Sequence, residues 1–135
     1  MMKEDKMQYT DLIGVPFKDG GRDKNGLDCW GLVKILLERQ GYKYIQDYDI
    51  SAFNIKDIHD ELETNRHTWR KIEKPEVGCV ILLANGCTAA ANHVGIVVDD
   101  SRFIHAYART GVCVSALKRW QAHILGCYLP PEVRT

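Results

Sequence analysis

Apolar positions recur at helical spacing most clearly at Leu32, Val33, Leu36 and Leu37. Asp28 precedes that run as a good N-cap and Gly41 follows it as a good stop, so the spacing predicts a helix over 29–40 whose first residue is Cys29. Asn54, with Ile55, Ile58 and Leu62 on one face, predicts a second, shorter amphipathic helix. After Gly78 the pattern changes to short β-type runs parted by turn residues, at 79–83, 93–98, 102–107, 112–116 and 124–129. Between the helices and around them the chain reads as connection. Residues 1–10 are a polar lead-in, 11–17 a short apolar segment, 18–28 a turn-rich loop, 42–50 irregular or extended, and 64–75 a polar loop broken by Trp69 and Ile72. Helices early and antiparallel strands late make an α+β domain over 11–135, its N-terminal helices packed on a five-stranded antiparallel sheet.

One turn carries a geometric consequence. If Asp99-Asp100-Ser101 is a tight three-residue loop, Val98 pairs with Arg102 and Gly95 with His105. His93 and His105 then share a face one diagonal step apart, roughly 7–8 Å between backbones, and Gly95 leaves room for both rings. A slip of one residue would send the two rings to opposite faces.

Composition narrows the function. The chain has 135 residues, 45% hydrophobic and 27% charged, which suits one core. Its 18 basic and 18 acidic residues cancel without a long charged run, which argues against nucleic acid or a membrane surface as partner. The N-terminal stretch Met1-Met2-Lys3-Glu4-Asp5-Lys6 has no apolar segment behind it, so the expectation is synthesis in the cytoplasm without a signal peptide. The 5 cysteines are widely spaced, without a Cys-x-x-Cys pair, which argues against a disulfide framework and against a metal site.

A thiol on the first residue of a helix meets unpaired backbone N–H groups and the positive end of the macrodipole, so the pKa of Cys29 is expected to fall. A nucleophilic sulfur also needs a base that later protonates the leaving amine, and a third polar group that fixes the base's tautomer. Cys29, His93 and His105 supply those parts as nucleophile, base and orienting residue, provided the helix sets its N-terminus against the histidine face of the sheet. The Cys29 N–H would then point towards a tetrahedral oxyanion. The other candidates read more plainly. Cys79, Cys113 and Cys127 are expected as small buried hydrophobes, Cys87 as a turn residue, and His59, His67 and His123 as surface histidines. Asp28 is chiefly a cap; Trp30, Trp69 and Tyr107 are candidate groove-lining aromatics set against a plain core role, with Trp30 the one beside the sulfur.

The ordered motifs resemble the NlpC/P60 family of papain-like cysteine peptidases. Val15-Pro16-Phe17-Lys18-Asp19-Gly20-Gly21 resembles the family's lead-in, and Leu27-Asp28-Cys29-Trp30-Gly31-Leu32-Val33 its nucleophile motif. His93-Val94-Gly95-Ile96 resembles the base-bearing strand, Phe103-Ile104-His105-Ala106 the strand of the third catalytic residue, and 111–120 the closing segment. The resemblance implies a papain-like fold, a Cys29–His93–His105 triad, no cofactor, and hydrolysis of peptidoglycan stem peptides at γ-D-glutamyl bonds to a diamino acid. Trp30, Asp28 and Phe17 are its candidate substrate-contact positions. The family commonly has tyrosine at Phe17 and serine at Trp30, and Asp-Cys-Trp-Gly is similar to the branch in phage and prophage tail-assembly proteins. That branch implies tail proteins as partners and the virion tail as a destination. Two alternatives keep the same residues: an amidase or acyltransferase, and a structural tail module whose site has decayed.

Overall fold

The computed structural model describes residues 8–42, 69–84 and 93–130. A 3-10 turn at Thr10–Leu12 leads into a two-stranded ribbon, β1 (Arg22–Asp23) and β2 (Gly26–Leu27), and then helix α1 (Cys29–Arg39). There follow β3 (Arg70–Ile72), β4 (Val80–Leu83), β5 (His93–Val97), β6 (Arg102–Tyr107) and β7 (Gly111–Ala116). A short helix α2 (Leu117–Trp120) and a 3-10 turn (Gln121–His123) lead to β8 (Ile124–Leu129). The large sheet has 6 strands in the order β3-β8-β4-β5-β6-β7, every neighbouring pair antiparallel.

The expected α+β order and all the expected late strands are present. The extra strand is β3, in the stretch read as loop. Arg70 and Lys71 are exposed on it, and charged residues suit an edge strand because they discourage pairing with another chain. Half-burial on an edge leaves no alternation to detect, which is why β3 was hidden in the sequence. The ribbon β1–β2 was hidden for another reason: its strands are two residues each, inside a loop. The second helix expected from Asn54 lies outside the described residues, as does the 42–50 stretch beyond Tyr42.

Helix α1 starts and stops where its spacing says. Asp28 caps it through a hydrogen bond from the Gly31 N–H at 2.7 Å, and Gly41 ends it at φ 95°, a backbone state that costs glycine little. The buried side of α1, including Leu32, Val33, Leu36 and Leu37, packs against Val80, Leu82, Val94, Ile96, Ile104 and Ala106. Each such side chain stabilises by about 1.5–3 kcal/mol relative to exposure. The opposite sheet face is also covered: Cys79, Ile81, Leu83, Val97, Phe103 and Cys127 meet Leu117 and Trp120. Burial on both faces explains why β4 reads as an unbroken apolar run.

The β5–β6 register is the one expected. Ile96 pairs with Ile104 and Val97 with Phe103, while the Val98 N–H donates to the Arg102 carbonyl at 3.0 Å. The Asp99 carboxylate closes the turn by accepting from the Ser101 N–H at 2.9 Å and from Arg102 Nε at 2.8 Å. Gly95 therefore lies across from His105. A Cβ there would sit 2.9 Å from the Ile104 oxygen, 2.9 Å from a Phe103 ring carbon and 3.3 Å from the His105 Cβ. Gly95→Ala must push Phe103 and His105 aside. We expect a stability loss of about 1–3 kcal/mol, read as a Tm about 3–10 °C lower in calorimetry. An unchanged Tm would show that the strand absorbs the methyl group without strain.

Candidate active site

The loop that precedes α1 exists to hold Asp28. Its carboxylate accepts from the Gly20 N–H at 3.0 Å, from the Gly31 N–H at 2.7 Å and from Arg22 Nη1 at 2.8 Å, and the residue is buried. The turn at Gly20 and the β1–β2 ribbon bring those donors into place. Phe17 lies alongside, bridged to Leu27 and half-buried against the core. Trp30 is only 1% exposed and packs within the core beneath α1. Trp30 and Asp28 are thus enclosed to the same degree as the Cys29 sulfur, and Trp30 packs with the core rather than lining an open groove. Asp28 keeps the capping role expected of it.

The histidine pair forms as the hairpin register requires. His93 Nε2 and His105 Nδ1 are 2.7 Å apart, with ring centroids 4.9 Å apart and planes at 70°. His105 Nε2 lies 2.9 Å from Ser115 Oγ on β7. Trp120 closes over both imidazoles, at 6.3 Å from His93 and 5.3 Å from His105 between centroids. Both rings are buried. Burial, reinforced by the neighbouring His105, pushes the pKa of His93 down to about 3, and burial takes His105 to about 4. Near neutral pH both rings are uncharged.

The sulfur departs from expectation in two respects. The body of α1 packs on the sheet face opposite the histidines, so Cys29 reaches β5 at strand level, where the Val94 N–H, next in sequence to His93, hydrogen-bonds its sulfur. The N–H groups of Trp30 and Cys29 also favour its thiolate. Even so, its pKa rises, to about 12, because burial and then the Asp28 carboxylate outweigh those donors. The lowered value expected from the helix terminus is thereby corrected: at 2% exposure the desolvation of a thiolate exceeds the favourable field of the first turn. Among the described residues, His93 bonds to His105 and the sulfur to main-chain amides, so thiol and imidazole are not bonded to each other.

No preformed thiolate–imidazolium pair is present among the described residues, so attack by Cys29 would need its proton to leave as the new bond forms. Asp28 acts on this site in two opposed ways. Asp28→Asn removes a negative charge beside the thiol but weakens the cap and the Arg22 pair. We expect Cys29 to be alkylated by iodoacetamide faster at a given pH, while stability falls by about 1–3 kcal/mol. Peptide mapping of alkylated Cys29, set beside calorimetry, reads both signs; slower alkylation in the variant would contradict the electrostatic account.

Other expectations sort simply. Cys79 and Cys127 are buried, with their thiols hydrogen-bonded to each other, whereas Cys113 is half-buried. His123 is exposed. His59, His67 and Cys87 lie outside the described residues. Among the described residues, no group of three or more His, Cys, Asp and Glu side chains converges as a metal site. Ser115 and Trp120 were not singled out from sequence. The available signal was the second hairpin: pairing Tyr107 with Gly111 places Cys113 opposite His105 and Ser115 diagonal to it.

Comparisons with known proteins agree with this fold. The model of the NlpC/P60 family matches residues 14–128. A murein DD-endopeptidase/LD-carboxypeptidase, MepS, of Escherichia coli is 27% identical over 110 residues, covering 82% of this chain and 52% of the relative. A probable endopeptidase NlpC homolog of Haemophilus influenzae is 28% identical over 116 residues, covering 83% of this chain and 54% of the relative. The chain thus spans about half the length of these curated relatives. In fold, the NlpC/P60 domain of the peptidoglycan hydrolase SagA superposes with a TM-score of 0.60 at 18% identity, over 88% of this chain and 90% of that one. A Bacillus cereus NlpC/P60 family protein superposes with a TM-score of 0.63 at 18% identity, over 86% of this chain and 35% of that one. With the family's motifs lying in order along the chain and its fold matched over most of the length, this protein belongs to the NlpC/P60 family.

Proposed function

We propose that this domain is a cysteine peptidase that hydrolyses amide bonds of peptidoglycan stem peptides, with the γ-D-glutamyl bond to a diamino acid as its target and a phage or prophage tail as its setting. The observation that carries the reading is the buried 2.7 Å contact between His93 and His105, formed one residue from the strand position on which the Cys29 sulfur rests. The relatives' names, murein endopeptidase and probable endopeptidase, supply the substrate class. The tail setting rests on the Asp28-Cys29-Trp30-Gly31 motif alone.

In this reading the Cys29 thiol attacks the scissile carbonyl and passes its proton to His93. The tetrahedral oxyanion is met by main-chain N–H donors at the start of α1. His93 returns the proton to the departing amine, leaving a thioester on Cys29. Water then attacks the thioester, again with His93 as base, and restores the thiol. Because both imidazoles titrate far below neutrality, the base is ready at any pH above about 5.

The sealed sulfur favours one second reading, a structural tail module without turnover, since a 2% exposed thiol with a raised pKa is a poor nucleophile until substrate or partner opens the site. Digestion of purified muropeptides, followed by mass spectrometry, separates the two. Fragments cut between D-glutamate and the diamino acid support the peptidase; intact muropeptides after prolonged incubation at high enzyme concentration support the structural module.

A further inference from the structure

The base needs a particular tautomer, and the site's hydrogen bonds say what selects it. His93 Nε2 is taken up by His105 Nδ1, so Nδ1 is the nitrogen of His93 left to receive a proton from Cys29. It can do so only if the proton of neutral His93 sits on Nε2 and is donated to His105 Nδ1. His105, accepting at Nδ1, must then carry its own proton on Nε2. That N–H points at Ser115 Oγ, 2.9 Å away. In the reverse arrangement His105 donates from Nδ1, and His93 holds its proton on Nδ1, where it cannot take the thiol's. The choice between a working base and a blocked one is therefore made at the far end of the relay, by whatever receives the His105 Nε2–H.

Among the described residues two groups lie there. Ser115 Oγ is the nearer and the better acceptor; Cys113 Sγ, at 3.6 Å, is a weak one. Among the described residues the other groups around the pair are the rings of Phe103 and Tyr107 on β6 and Trp120 on α2, and none is a carboxylate. We propose that Ser115 is a positioning residue of the catalytic relay, its hydroxyl oxygen accepting the His105 Nε2–H and so holding His93 in the tautomer that can deprotonate Cys29. The inference rests on the peptidase reading above for its kinetic consequence, but not for the tautomer it assigns. Ser115 touches neither the sulfur nor a peptide; it acts through His105. When His93 becomes imidazolium, the same chain of donors is already aligned to spread the charge.

The test compares Ser115→Thr with Ser115→Val. The two side chains have nearly the same shape and both suit a strand, so they differ chiefly in the hydroxyl. Ser115→Thr is expected to keep turnover near the wild-type level. Ser115→Val should lower kcat about ten- to hundredfold with little change in KM, the scale set by leaving a buried donor without its acceptor. Nitrogen-15 imidazole spectra of the free proteins near neutral pH give a readout that needs no substrate: Nε2–H tautomers for both rings in the wild type and the threonine variant, and a shift towards Nδ1–H in the valine variant. The proposal is overturned if the valine variant keeps the wild-type tautomers, or if both variants lose the same kcat. Absence of muropeptide cleavage by the wild type would sink the peptidase reading instead, and the spectra would still decide the role of Ser115.

Discussion

Cys29→Ala is expected to bring muropeptide hydrolysis down to background, a loss of about 10⁴-fold or more, while the Tm moves by only a few degrees. The sulfur is the only atom at that position able to form the thioester, so no neighbouring group can substitute for it. Its removal leaves a small void, costing about 1 kcal/mol in a core that Leu32, Trp30 and Val94 keep intact. His93→Ala should cost nearly as much activity, because nucleophile and base act as one unit and losing either stops the same step. The double variant should then be no worse than either single one. His105→Ala should be milder, since it disturbs the orientation of the base rather than the base itself. Steady-state assays on stem peptides, with circular dichroism as the control for folding, measure all four. Wild-type-like turnover by the Cys29 variant would remove the sulfur from the mechanism.

Position in the chain gave away more of this site than chemistry did. The register of the β5–β6 hairpin follows from three turn residues and a period of two, so the meeting of His93 and His105 could be drawn before any coordinates. The capping of α1 by Asp28 is local in the same sense. What spacing could not show is the side of the sheet on which α1 packs, because either face of an apolar β-run will accept a helix. That single tertiary choice buries Cys29 and Trp30. It reverses the expected direction of the thiol's pKa, since desolvation depends on everything packed around a group and not on its neighbours in sequence. The edge strand β3 escaped notice for the complementary reason: exposed Arg70 and Lys71 carry no apolar pattern. Ser115 fell between the two cases. Its place diagonal to His105 was implicit in the second hairpin, but its importance depends on a hydrogen bond to His105 that only the packed site reveals.

The histidine pair should also set the acid limit of the fold. Each imidazole has its folded pKa depressed, from 6.5 to about 3 for His93 and to about 4 for His105. Between those values the unfolded chain binds protons that the folded chain refuses, so acid favours unfolding. Stability from this source is therefore complete above about pH 6.5 and is lost progressively as the pH falls towards the folded values. At about pH 5 each ring has cost roughly 2 kcal/mol, at about 1.4 kcal/mol for each pH unit below 6.5, or roughly 4 kcal/mol together. A domain stable by about 5–15 kcal/mol loses a large share of its margin there. The slope is the sharper test. Urea unfolding between about pH 6 and 5 should report an uptake close to two protons from these rings. A His93→Gln variant, less stable near neutrality because it loses the charge-free imidazole packing against Trp120, should show a slope smaller by about one proton. Should the wild type and the variant share one slope, the rings would have to titrate alike in the folded and unfolded chains, and the neutral, water-excluded pair on which the proposed chemistry depends would not exist in solution.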